Sequence, residues 1–327
     1  MTGGLLLGAV TVALLVATAW RAPRRLALVV AVGAVLGGLP VRVFATGWPP
    51  PGALVVACDV GQGDAIVLPV APGSAVVVDA GPDPSRVDAC LRGLRVERIE
   101  LLVLSHFHAD HVDGLDGVLR GRQLVAAALP ALAEPADRAA AVRARLGGAS
   151  VLTPGPGWRR SWPGLTLTVL GPVRPLAGTD SDPNNNSLVL RADAGGVRIL
   201  LTGDAETDEQ RDLLAAGAGE VRADVLKVAH HGSAAQAERL IDAVAPRVAL
   251  VSVGADNRYG HPNPGLMARL QRSGARILRT DTSGDLAVVA VDGGSGGHPF
   301  VHRRWSVDRR GWSVDRRTGS VNWSETQ

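Results

Sequence analysis

SHFHADH, residues 105–111, sets three histidines and an aspartate in the six positions 106–111, directly behind the apolar run IELLVLSH (99–106). That run has the length and the leucine and β-branched content of a buried strand, so the cluster falls on the loop at its end. From such a loop His106 and His108 can reach one metal while Asp110 and His111 turn toward a second. Imidazole and carboxylate together suit zinc, manganese or iron.

Working outward, all 8 histidines are at 106, 108, 111, 230, 231, 261, 298 and 302, and six of them fall in three short motifs. LLTGDAE ends an apolar strand at Asp204, where a carboxylate can bridge two metals and Gly203 permits close approach; capping of a helix starting at 205 is the plainer role. LKVAHHGS delivers His230 and His231 from a strand at 224–229 into a Gly-Ser turn. NRYGHP (257–262) holds His261 in an exposed loop.

The remaining pattern alternates strands and helices. ALVVACDV (53–60), AIVLPV (65–70) and SAVVVDAG (74–81) read as successive strands in hairpin-like order, followed by a helix at 84–95 and, beyond the cluster, one at 135–146. The second half repeats the rhythm, with strands at 165–170, 187–192, 197–202, 224–229, 248–253, 276–280 and 285–291 and helices at 205–216, 234–244 and 264–273. Two similar halves of this kind predict an α/β (α+β) fold, a four-layer αββα sandwich.

Taken in order, DVGQGDA (59–65), HFHADH, TGD, NNNSLVL (184–190), HHGS and NRYGHP resemble the metallo-β-lactamase superfamily. More narrowly they are similar to the C-terminal domain of ComEC-type DNA-internalisation proteins, over roughly 54–292. The resemblance implies two divalent ions, zinc or manganese. His106 and His108 would hold one, Asp110 and His111 the other, Asp204 would bridge, and His230 would complete the second site, with His231 the lesser candidate. Asp59 and Asp79 look like supporting acids. Asp64, in a GQGD turn, suits a backbone nest near the site. For Asp79, turn capping and orientation of a ligand histidine are equally open.

One departure matters. The superfamily supplies a further histidine between the cluster and the bridging aspartate, and here there is none between 111 and 230. Asn184, Asn185 or Asn186 would stand in, with Asn186 the choice; an amide oxygen favours manganese or leaves a site labile. Alternatively these asparagines only form the turn.

Two metals about 3.5–4 Å apart can activate water and clamp both oxygens of an in-line phosphate displacement. Asp110 can orient the nucleophile, and His261 can protonate a leaving oxygen or bind phosphate. Ser233, Asn257 and Tyr259 are candidate substrate contacts. The implied function is a phosphodiesterase, a nuclease acting on DNA, single-stranded or duplex, during uptake. The alternatives are hydrolysis of another phosphodiester (teichoic acid or a phospholipid head group) and a non-catalytic structural module of a DNA channel.

Composition bounds these readings. The net charge is +3, and the excess sits in the last 25 residues, so it does not by itself imply nucleic-acid binding. The 34 Lys+Arg are nearly all arginine. Cys58 and Cys90 form no CxxC pair, which argues against a thiolate zinc site; two unrelated buried thiols is the plain reading, a single disulfide the alternative outside the cytoplasm.

Residues 4–20, GLLLGAVTVALLVATAW, and the run beginning at 26 and extended to Ala45 read as two transmembrane helices. Arg21, Arg24 and Arg25 between them should face the cytoplasm, leaving the hydrolase domain extracytoplasmic on a cell membrane. The expected map is a membrane segment at 1–46, a Pro-rich linker at 47–53, the hydrolase domain at 54–292 and a disordered basic tail at 293–327. A channel-forming membrane protein or domain is the implied partner.

Overall fold

The computed structural model describes residues 48–291 and 298–303. The expected membrane segments lie outside them, and among the described residues no helix is long and apolar enough to cross a membrane.

The first sheet grows from alternation. β1 (Ala53–Ala57), β2 (Ile66–Ala71) and β3 (Ser74–Val78) pair antiparallel in succession. α1 (Pro84–Gly93) then leads to β4 (Arg98–Val103), parallel to β3. Asp83 caps α1 by accepting from the Ser85 and Arg86 N–H groups, and Pro84 sits in the first turn, where its missing N–H costs nothing. α2 (Ala109–Val112) and α3 (Leu115–Leu119) precede β5 (Gln123–Leu124) and β6 (Ala126–Ala128); α4 (Ala136–Arg145) precedes β7 (Ser150–Leu152).

The second half repeats this plan. β8 (Arg159–Trp162), β9 (Leu165–Gly171), β10 (Val189–Ala194) and β11 (Val197–Leu201) form an antiparallel meander. Parallel strands β12 (Val225–Lys227), β13 (Val248–Val251) and β14 (Arg276–Arg279) follow, interleaved with α5 (Thr207–Gly217), α6 (Leu240–Val244) and α7 (Pro264–Arg272). α8 (Thr280–Ser283) and β15 (Leu286–Val291) return the chain to the first sheet, where β15 pairs with β1 and with β16 (His298–Arg303). The first sheet runs β16-β15-β1-β2-β3-β4-β6-β7, with β5 beside β4; the second runs β14-β13-β12-β11-β10-β9-β8.

The period of two decides which face each residue buries. Val197, Ile199 and Leu201 of β11 enter one core with Val55, Leu68 and Leu101 of the first sheet. Leu200 instead joins Leu213, Leu240, Ile241 and Leu266 of the helices. The result is a two-sheet α/β sandwich in which the central strands β12 and β13 of the second sheet are buried on both faces.

Several expectations change. Cys58 and Cys90 are not unrelated thiols: they form a disulfide across a sequence separation of 32, joining the exit of β1 to α1. Closing such a loop stabilises by about 3–4 kcal/mol in the chain-entropy view. The helix expected over 234–244 is reduced to α6, because the Gln210 side chain takes the Ala237 N–H at 2.7 Å and Gln236 bonds back to the Ala229 and Ser233 carbonyls. Residues 298–303 were expected in a disordered tail but pair along β15; Pro299 is tolerated there because β16 is an edge strand. The short strands β5 to β8 were not expected, since alanine and polar residues dominate them.

Helices α1 and α3 meet at Gly117, where a Cβ would lie 1.9 Å from the Pro84 carbonyl oxygen. Gly117→Ala therefore forces backbone apart, and we expect the thermal midpoint to fall by roughly 5–10 °C. Gly148→Ala, with nothing within 4 Å, is the control and should leave it unchanged in a calorimetric scan.

Candidate metal centre

The chemistry-bearing residues follow strand ends. His106 lies just beyond β4, Asp79 beyond β3, Asp204 beyond β11, His230 and His231 beyond β12, and Ser252 beyond β13. The two sheets are tied together here, with the Leu188 N–H donating to the Ser105 carbonyl at 2.9 Å and the Ser252 hydroxyl to the Gly63 carbonyl at 2.6 Å. Gly63 is required: a Cβ would fall 2.2 Å from the Asp110 carbonyl oxygen, and its φ of +151° is one that side chains rarely adopt.

Asp204 is the hub. Its Oδ2 lies 3.3 Å from His111 Nε2, 3.4 Å from His231 Nε2 and 3.8 Å from His230 Nε2. Asp110 Oδ2 lies 3.1 Å from His231 Nε2 and 3.9 Å from His111 Nε2. Asp110, His111, Asp204 and His231 thus offer ligand atoms all within 4.8 Å of one another. His106 stacks edge-on with His108 at 4.7 Å and lies 4.2 Å from the His111 ring.

The far nitrogens are already held. His111 Nδ1 faces Asp79 Oδ2 at 2.9 Å, His231 Nδ1 faces the Ser252 carbonyl at 3.0 Å, and His106 Nδ1 meets the Ser105 hydroxyl at 3.1 Å. Acceptors on the first two Nδ1 atoms fix the tautomer that leaves Nε2 free as a ligand, the arrangement that orients metal-binding histidines. His106 Nε2, His111 Nε2 and Asp204 Oδ1 are buried with no hydrogen-bond partner. Buried polar atoms are rarely left so; the donor set fits divalent metal.

Burial alone would lower His111 and His231, but Asp204 first, then Asp79 for His111 and Asp64 for His231, hold both well above the ordinary histidine value. Burial, then His111, holds His106 well below it. For Asp204 burial works upward, yet His231 and His111 prevail and keep it well below the usual carboxylate range.

Other candidates lie as follows. Asp79 does both things left open for it: it accepts from the Ser105 N–H at 2.7 Å and hydroxyl at 2.8 Å and faces His111. Asp64 turns its carboxylate inward, onto Lys227, rather than only lining a nest. Asp59 stays outside the cluster, accepting from the Gly61 N–H at 3.3 Å and pairing with Arg86.

Asn186, expected to stand in for the absent histidine, is spent on its turn. Its oxygen accepts from the Leu176 N–H, and its amide donates to the Leu176 and Asp182 carbonyls. Ser187 is the residue of that turn that touches the cluster, 3.5 Å from His106 Nδ1 and accepting from the Asp204 N–H at 3.4 Å. Asn184 reaches the site indirectly, through Glu206, which lies 3.0 Å from His230 Nδ1.

Of the adjacent pair, His231 is 1% exposed and inside the four-residue group, whereas His230 turns its Nδ1 toward Glu206. Both have positive φ, 47° and 52°, so neither strand nor helix periodicity tells which ring turns inward.

At the rim, Asn257 pins its loop through bonds to Gly254 and His261. Tyr259 is 74% exposed and stacks on His261 at 5.9 Å, and His261 lies 5.3 Å from the His230 ring. Ser233 accepts from the Ala235 N–H, a turn contact.

Lys227 and Glu206 were missed. Lys227 is 1% exposed, with Nζ against Asp64, 2.9 Å from the Gly203 carbonyl and 3.7 Å from Asp204 Oδ1. Its signal was in plain view: it is the single lysine among 34 basic residues.

The family model described as the metallo-beta-lactamase superfamily matches residues 58–255. ComE operon protein 3 of Bacillus subtilis is 32% identical over 194 residues, covering 58% of this chain and 24% of that protein. Competence protein ComA of Neisseria gonorrhoeae is 31% identical over 251 residues, covering 74% and 33%. The chain thus spans only a quarter to a third of these relatives. Zn(2+)-bound PqqB from Methylobacterium extorquens aligns with a TM-score of 0.43 at 15% identity, over 67% of this chain and 85% of that one.

A ligating imidazole must be neutral, whereas His111 and His231 hold protons above the ordinary histidine value in the metal-free chain. Metal binding therefore releases protons, and apparent affinity rises with pH through neutrality. Titration calorimetry with Mn2+ at pH 7, in buffers of different ionisation enthalpy, should register about one to two protons released per chain. Heats independent of buffer would contradict this.

Proposed function

The chain belongs to the metallo-β-lactamase superfamily, and from that premise we propose that it is a divalent-metal-dependent phosphodiesterase, a nuclease that cuts DNA during uptake at the outer face of a membrane. The observation that carries this reading is the convergence of buried, unpartnered ligand atoms on Asp204. Asp110, His111 and His231 would hold one ion and His106 and His108 the other, with Asp204 between them. His230 is then a flanking group oriented by Glu206. Bound divalent ions supply Lewis-acid polarisation of a phosphate oxygen and an activated water.

The chain's own residues supply position. Asp110 reaches from α2 over the cluster to orient an attacking group. Burial, then His230 and His231, hold His261 below the ordinary histidine value, so it meets a leaving oxygen as a neutral donor at pH 7. Tyr259 and the exposed Arg258 edge the mouth as a stacking and phosphate contact for single-stranded DNA. DNA is preferred over teichoic acid or lipid head groups because the relatives that are 32% and 31% identical over the aligned segments include a competence protein and a ComE operon protein.

An extracytoplasmic location has two independent supports. One is the arginine loop at 21–25, outside the described residues; the other is the Cys58–Cys90 disulfide, a bond that persists in oxidising compartments.

The test uses the full chain with end-labelled single- and double-stranded DNA in Mn2+, Zn2+ or EDTA, beside glycerol-phosphate polymer and phospholipid vesicles. Digestion of DNA is expected with metal only, and lost by at least about 100-fold in a His108→Ala, Asp110→Ala double variant. Tyr259→Ala should weaken binding of single-stranded DNA by roughly 5- to 100-fold and Tyr259→Phe should not. Metal-bound protein that leaves DNA intact and cuts another phosphodiester overturns the nuclease reading; a chain that binds no metal favours the structural module.

A further inference from the structure

Lys227 ends β12, the strand between β11 and β13, in register with Leu201 and Leu250. Those two neighbours belong to the core between the sheets, so the strand's alternation carries the lysine side chain into the sandwich, where an apolar residue is the rule. The other members of the 34 Lys+Arg are all arginine. An ammonium is compact and makes three short contacts at a point, which a planar guanidinium cannot do in the same space.

The surrounding groups say what that point charge does. Asp64, Asp79 and His111 form a second set whose ligand atoms lie within 4.8 Å of one another. It shares His111 with the Asp110, His111, Asp204, His231 set: Nδ1 faces Asp79 and Nε2 faces Asp204, and a neutral imidazole offers a ligand lone pair on only one of its nitrogens. The Lys227 ammonium already lies on Asp64 and also bonds the Gly203 carbonyl, next to Asp204.

We propose that Lys227 is a built-in cation that fills the Asp64 side of the cluster, keeps divalent metal out of the Asp64–Asp79 set, and so directs it to the face formed by Asp110, Asp204 and His231. Lys227 is a positioning residue: it acts through Asp64 and Asp204. The inference rests on the cluster being a metal site, which wild-type binding tests separately.

The test is Co2+ binding to the full chain, read by equilibrium stoichiometry and by the visible absorption of the bound ion, which reports its ligands. The variants are Lys227→Met, Lys227→Arg and Lys227→Met combined with Asp64→Asn. Lys227→Met, which leaves Asp64 facing only His231, should take up a further equivalent of Co2+ with a shifted spectrum, and Lys227→Arg should not restore the wild-type spectrum. The double variant removes both charges, and the Gly203 carbonyl keeps its bond from the His230 N–H. It should return to the wild-type spectrum and stoichiometry. Wild-type binding by Lys227→Met overturns the proposal. So does a double variant that is unfolded, or folded with the single variant's spectrum, which also decides the matter if Lys227→Met alone does not fold. Absence of Co2+ binding by the wild type overturns the metal-site reading itself.

Discussion

Four carboxylates, Asp64, Asp79, Asp110 and Asp204, crowd one point between the two sheets, and in each the burial that works against its charge is opposed by histidine or lysine partners. An isolated buried carboxylate would cost several kcal/mol or take up a proton. Here Asp79 is met by His111, Asp64 by Lys227 and His231, and Asp204 by His111 and His231. His111 lies beyond β4 of the first sheet, and Lys227 and His231 lie at and just beyond the end of β12 of the second, so the charges balance only when both halves of the sandwich are assembled. Assembly of the fold and assembly of the site are one event.

The backbone is arranged to allow that closeness. The GQGD turn packs directly on the Asp110 carbonyl, with the Asp64 N–H bonded to it at 3.2 Å, and the disulfide secures the strand exit that leads into the turn. On the opposite side the Asp204 N–H reaches Ser187 and the Lys227 carbonyl accepts from Thr202 at 2.6 Å. Side chains that look like ligands in isolation, such as Asn186 and Asp59, are consumed in holding these turns.

Legibility in the sequence followed local physics. Strands β1 to β4 and β9 to β15 were readable because each carries a run of apolar residues bounded by turn chemistry, and the histidine cluster was readable because its members are adjacent in sequence. What depended on three-dimensional closure was not. The Cys58–Cys90 pair, Asp64 against Lys227 and Ser187 against His106 are each joined across long stretches of chain. The order of His230 and His231 turned on two consecutive left-handed backbone positions. The one lysine was visible as an oddity of composition, but its meaning needed the position of Asp64.

The most direct measurement is anomalous diffraction at the manganese edge from crystals of the full chain grown with Mn2+. Two separate peaks are expected flanking Asp204, one within ligand distance of His106 and His108 and the other of Asp110, His111 and His231, with Lys227 still on Asp64. No peak, a single peak, or a peak seated on Asp64 and Asp79 with Lys227 displaced would contradict it.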